Sequence, residues 1–261
     1  MNLRLHVPSA SLGKVLGICA GLLIALHLLG VFCHLVLHAR VEAYTVLFDL
    51  DLEANLPTFF NCALFFLCAA LLYVSGRDQE VSLRRGWYLL AGVFAFLGVD
   101  EGSQIHEKFM LFTLRLLNHG AQTGTDMGLF YYAWVIPYGL AALLLVLILS
   151  KWLFRLNPTL RNGLVLSGTV YSFGAVFMEM VSGKVAERLD ASLITAEQMT
   201  YIPCEIYPPG GCHQYVSLSY IAAYTLEESC EFIGLILCAV VLVKSLEKQM
   251  GSIAIHFAPK A

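Results

Sequence analysis

LSYIAAYTLEESCEFIGLILCAVVLV, residues 218–243, is long and apolar enough to cross a bilayer, yet it carries Glu227, Glu228 and Glu231 with no lysine or arginine inside it. A spanning helix needs about 20 predominantly apolar residues, and this stretch supplies them. Acids also fall inside or at the edge of apolar spans upstream, with Asp100, Glu101 and Glu107 in VDEGSQIHEKF (99–109) and Glu179 in GAVFMEMVSG (174–183). One charge at the bilayer centre costs about 3 kcal/mol on insertion scales, so seven bare carboxylates would cost about 20 kcal/mol. Protons or bound metal must neutralise them.

The rest of the chain agrees with a membrane setting. Of 261 residues, 58% are hydrophobic and 13% charged, and the mean hydropathy is +0.72. Those values place the chain among polytopic membrane proteins. Its net charge of −3 comes mainly from the acids just named, and no basic patch or nucleic-acid motif is present. Nucleic acid is therefore set aside as a partner.

Six windows read as spans: Val15–Leu37, Pro57–Ser75, Trp87–Ile105, Gly128–Ser150, Gly163–Gly183 and Leu218–Val243. The expected fold is a single all-α transmembrane domain over residues 1–261, a six-helix bundle. The first window lacks a small-residue cleavage site and reads as a retained helix, a cleaved signal being the alternative. Eleven of the 16 Lys and Arg residues lie in the amino terminus, the 76–86 loop, the 151–162 loop and the tail. By the positive-inside rule both termini are expected in the cytoplasm.

That topology gathers the acids at one depth. Asp100, Glu101, His106 and Glu107 fall at the outer end of the third helix, Glu179 near the outer end of the fifth, and Glu227, Glu228 and Glu231 in the outer half of the sixth. Asp100, Gln104 and Glu107 share a face if the third helix continues past Gly102. His27, His34 and His38 form a stripe on the first helix. Carboxylates and imidazoles converging from several helices build dinuclear metal sites, and that donor set suits iron, with manganese or zinc as alternatives. The expected metal ligands are His34, Asp100, Glu107, Glu179, Glu228 and Glu231. Glu101, His106 and Glu227 are expected to orient ligands or transfer protons, with Tyr171 and Tyr224 as hydrogen-bonding neighbours.

Blander readings attach to several of these residues. His106 and Glu107 also fit a wet helix end, and His27 fits a hydrogen-bonded core histidine. Adjacent helical residues point about 100° apart, so His106 and Glu107 cannot both aim at one ion in a regular helix. The Asp49-Leu-Asp51-Leu-Glu53 run reads as a solvated segment, with calcium binding at the outer surface as the alternative. Asn55 and Pro57 read as the cap and first turn of the second helix. Cys204 and Cys212 flank a Pro/Gly turn on the oxidising side, where a disulfide is expected and two free thiols are the alternative.

FDLDLEANLPT, FLGVDEGSQIHE, WVIPYG, GAVFME and LEESCEFIG together resemble a bacterial polytopic inner-membrane family, over most of the chain. The resemblance implies six helices and a bacterial inner membrane, with Gly98 and Phe232 where other small or apolar residues are expected. It carries no activity. The function expected from the residues is metal-dependent oxidation of a lipid, quinone or other apolar substrate. A proton- or cation-coupled transporter using the same acids, and a non-catalytic subunit of a larger membrane complex, are the alternatives.

Overall fold

Asn55 opens the second long helix by accepting a hydrogen bond from the Thr58 N–H, with Pro57 in the first turn, as the sequence predicts. The computed structural model of the chain describes residues 4–5, 8–39, 42–117, 127–195, 217–250 and 255–256. Within them the architecture is helical: α1 (Ser9–Leu35), α2 (Glu42–Phe48), α3 (Leu56–Arg77), α4 (Val81–Ser103), α5 (Ile105–Leu117), α6 (Val135–Arg155), α7 (Pro158–Ser172), α8 (Glu179–Thr195) and α9 (Leu218–Met250). A π-helical turn, Phe173–Met178, joins α7 to α8 without a break. Cys204 and Cys212 lie outside the described residues.

Among the described residues, five helices are long and apolar enough to cross a membrane: α1, α3, α6, the α7–α8 rod and α9. Their outward faces carry leucine, valine and phenylalanine, among them Leu140, Leu143, Leu144, Leu147 and Ile148 on α6, all more than half exposed. Such a continuous hydrocarbon surface is what a bilayer-embedded bundle presents. The shorter, amphipathic α5 follows α4 directly.

α9 is the centre of the bundle, packed against α1, α3, α7, the π turn and α8. Small residues make that possible. A Cβ on Gly234 would stand 2.7 Å from the Tyr171 backbone nitrogen, and one on Gly174 would stand 2.6 Å from the Glu227 carbonyl oxygen. Close backbone approach of this kind replaces the missing hydrophobic drive between helices in lipid. α3 and α4 form a tight antiparallel hairpin and share the most extensive contact in the structure. At one end, Trp87 and Trp152 meet edge to face with Cys68, Leu72 and Leu242 in an apolar core. Toward the other end, Leu64, Phe65, Phe232 and Leu235 form a second core beneath the acids.

The termini meet. Ser9 donates its N–H and hydroxyl to the Glu247 carboxylate, both at 2.8 Å, which places a negative charge at the α1 N-terminus. Arg4–Leu5 pair with Ile255–His256 in a short antiparallel ladder.

Two windows differ from expectation. α6 starts later than Gly128, because Gly128 sits at φ +62° in a short 3₁₀ turn and donates its N–H to Glu187. α4 stops at Ser103 because Gln104 adopts a left-handed conformation, φ 56° and ψ 42°. Asp100 and Glu107 therefore do not share one continuous helical face.

Gly234→Ala is expected to lower stability by about 1–3 kcal/mol through overpacking against Tyr171. Gly139→Ala, in open space on α6, should leave stability unchanged or slightly raised. Thermal unfolding of both variants in mild detergent reads the difference.

Candidate intramembrane acid site

The break after α4 creates the first part of the site. By turning the chain at Gln104 it folds His106 back over Asp100, so that the His106 N–H donates to Asp100 Oδ1 at 2.8 Å. The ring then lies between two acids, with Nδ1 3.4 Å from Asp100 Oδ2 and Nε2 3.4 Å from Glu53 Oε1. Burial opposes the charged ring, but hydrogen bonds to Asp100 and Glu53 outweigh it and raise the His106 pKa to about 11. His106 is thus an imidazolium that links two carboxylates. Tyr138 donates to Asp100 Oδ1 at 2.9 Å, so both oxygens of Asp100 are engaged.

Asn61 builds the second part. Wholly buried on α3, it donates one amide hydrogen to Glu101 Oε1 at 3.1 Å and the other to Glu231 Oε2 at 3.0 Å. One neutral side chain so ties α3, α4 and α9 together and leaves one oxygen of each carboxylate for another partner. Its own Oδ1 is buried with no hydrogen-bond partner among the described residues. Glu228 stands close enough to Glu231, Glu101, Glu53 and Glu179 to feel their charges.

The π turn shapes the third part. A π turn carries one more residue per turn than α geometry and so re-aims the residues after it. Here it delivers Glu179, while Gly174 lets the rod press against α9. Trp134 Nε1 donates to Glu179 Oε1 at 3.0 Å, and Ser182 donates to Glu227 Oε2 at 3.0 Å. Glu227 and Glu179 also stand close enough to interact, and two neighbouring buried carboxyls favour a proton or a cation between them.

The Asp49–Glu53 run is a correction to the solvated reading. Asp49 is 1% exposed, and each acid of the run pins the loop to a different helix. Asp49 Oδ1 lies 3.3 Å from His27 Nδ1 on α1, Asp51 accepts from Tyr220 on α9 at 2.9 Å, and Glu53 meets His106 on α5. Tyr132 donates in turn to the Tyr220 hydroxyl at 3.0 Å. Burial, then the neighbouring Asp49 charge, pushes Asp51 up to about 8.

The expected residues therefore divide. Asp100, Glu101, His106, Glu179, Glu227, Glu228 and Glu231 come together. Glu107 is exposed at the rim and makes none of these hydrogen bonds. His34 lies half-buried in the last turn of α1, and none of the contacts above runs through it. His27 is the α1 histidine that reaches the acids, as a hydrogen-bonded core residue. Among the described residues no three His, Cys, Asp or Glu side chains already stand as a closed metal cage; the acids are tied in pairs through donors.

Asn61, Glu53, Tyr138, Trp134, Ser182 and Tyr220 are the participants that spacing did not pick out. Asn61 did leave a signal, as a lone amide in an apolar span. A family match covers residues 15–245. The chain belongs to the family described as a domain of unknown function, DUF8692. No curated protein and no solved structure matches the chain. Membership of DUF8692 thus covers nearly every element of the site and assigns it no chemistry.

Two outcomes follow for this network. Asn61→Leu keeps the volume but strands an acceptor on each of Glu101 and Glu231, at about 1–3 kcal/mol apiece, so the thermal midpoint should drop sharply. A midpoint unchanged from wild type would show that Asn61 does not tie the helices. For Asp51, a folded pKa above the unfolded value of 3.8 means that the folded state holds the proton more tightly. Its contribution to stability is full below pH 3.8 and is lost as pH rises to about 8. Asp51→Asn should therefore flatten the fall in midpoint between pH 6 and pH 8 and leave the curve above about pH 9 parallel to wild type.

Proposed function

We propose that this DUF8692 protein is a bacterial inner-membrane metalloprotein whose buried carboxylates hold two cations, iron or manganese, for redox chemistry on an apolar substrate. The observation that carries the reading is Asn61. Its amide hydrogens orient Glu101 and Glu231, while its buried Oδ1 finds no hydrogen-bond partner among the described residues. A buried amide oxygen beside two carboxylates is a set of hard oxygen donors of the kind that suits iron or manganese.

Glu101, Glu231 and Glu228, with Asn61 Oδ1, would hold one ion, and Glu179 with Glu227 the other. Trp134, Ser182 and the Asn61 amide act as the outer hydrogen bonds that fix carboxylate ligands in place. Asp100 and His106, with every polar atom engaged, balance charge and hold a proton at the edge of the site. His34 and Glu107 have no part in this assignment. In the membrane, α4 joins the five apolar helices as a sixth crossing, because it lies along α3 for its whole length. The meeting of the two termini fits an even number of crossings, and the Lys and Arg bias puts both in the cytoplasm and the acids toward the outer leaflet.

A proton- or cation-coupled carrier is the second reading, favoured by the neighbouring Glu179 and Glu227 carboxyls. Metal analysis of protein purified in mild detergent separates the two. About two iron or manganese ions per chain are expected for a dinuclear site, lost in Glu231→Gln and Glu101→Gln and retained in Glu107→Gln. Metal-free protein that exchanges a cation across proteoliposomes would overturn the metalloenzyme reading.

A further inference from the structure

Beneath the acids, α3 meets α9 through sulfur. Asn61 and Glu231 are hydrogen-bonded across this interface at 3.0 Å, and Cys68 and Cys238 lie seven residues further along each helix. Seven residues make about two helical turns, so two parallel helices that touch at one position meet again a heptad later. The contacts follow that register. The Cys68 thiol donates to the Leu235 carbonyl oxygen, one turn before Cys238, at 3.4 Å. Cys238 itself stands close enough to Cys68 for the two side chains to interact.

The two thiols are 0% and 2% exposed and share an apolar core with Leu72 and Trp87. Cys62 and Cys230 stand on the same helices, next to Asn61 and Glu231, yet they turn away from each other. A Cβ on Gly102 of α4 would stand 3.3 Å from the Cys62 sulfur, and one on Gly174 of the π turn would stand 3.0 Å from the Cys230 Cβ. Of the four cysteines on α3 and α9, only the lower pair faces across the interface.

We propose that Cys68 and Cys238 are a redox-sensitive lock, closing to a disulfide that ties α3 to α9 beneath the acid site. Disulfides form between residues whose Cβ atoms are about 4 Å apart, so thiols already in side-chain contact close with little backbone movement. The oxidant is dioxygen, an apolar molecule that dissolves in hydrocarbon. Two S–H bonds break, one S–S bond forms, and both hydrogens leave with two electrons on dioxygen as hydrogen peroxide. Reactants and products are uncharged, so no bare ion enters the core. Burial keeps water-borne thiols from the pair, and the lock therefore answers to the membrane phase. Its consequence lies two turns away, where the same helices carry Asn61 and Glu231: the tie holds those two residues in register. The inference uses no assignment of the chemistry of the acids.

Cross-linking tests the lock on the full chain in bilayer nanodiscs. The protein is exposed to dioxygen with copper(II)–phenanthroline, an apolar catalyst of this oxidation, and then unfolded. Remaining thiols are alkylated and the peptides mapped without reductant. Cys68 and Cys238 should be recovered in one cross-linked pair, lighter by two hydrogens, while Cys62 and Cys230 are recovered alkylated. Oxidation should raise the thermal midpoint of the wild type and leave that of Cys238→Ala unchanged. Should Cys238→Ala fail to fold, Cys68→Ser keeps the size of the side chain and removes the cross-link equally. Cys68 and Cys238 both alkylated after oxidation, or joined no more often than Cys62 with Cys230, would overturn the lock. A cross-linked chain with an unchanged midpoint would overturn the tie between the helices.

Discussion

A carboxylate shut away from water must be met by donors or by positive charge, and in this chain lysine and arginine are absent from the apolar stretches 87–105, 163–183 and 218–243. Several unusual features of the backbone serve that requirement. The left-handed Gln104 swings His106 onto Asp100. The π turn aims Glu179 at Glu227. Gly174 and Gly234 let the α7–α8 rod lie against α9 closely enough for side chains on both to meet. Strain and tight packing are placed where regular helices would leave an acid facing hydrocarbon.

The donors that meet the acids are mostly neutral: the Asn61 amide, the Tyr138 and Tyr220 hydroxyls, the Trp134 indole and the Ser182 hydroxyl. Neutral donors orient a carboxylate without cancelling its charge, unlike the cation of a salt bridge. His106 is the exception, and it sits at the outer margin between Asp100 and Glu53. The interior pairs, Glu101 with Glu231 and Glu179 with Glu227, have no basic side chain between them in the hydrogen bonds described above.

The loop of Asp49, Asp51 and Glu53 adds a lesson about reading alternation. In an extended segment, alternate residues point to opposite sides, and three acids spaced by two look like a wet edge. Here the segment lies across the mouth of the bundle, and the three side chains reach α1, α9 and α5 in turn. The intervening leucines gave no warning, because Leu50 packs in the core while Leu52 does not. Polarity next to a span is ambiguous until the partners on other helices are known.

Hydropathy alone determined that the chain is helical, where most of its long helices run, and that its acids need neutralising, because those properties depend on length, composition and local periodicity. The acidic positions of the site were legible for the same reason: a charge in an apolar helix is conspicuous in one dimension. Which acids pair, which histidine joins them and where a helix breaks were decided only by the tertiary structure. Asn61 and Glu101, or Trp134 and Glu179, are about forty residues apart. Their contact depends on helix rotation, on glycines that permit close approach and on one left-handed glutamine, none of which has a periodic signature along the chain.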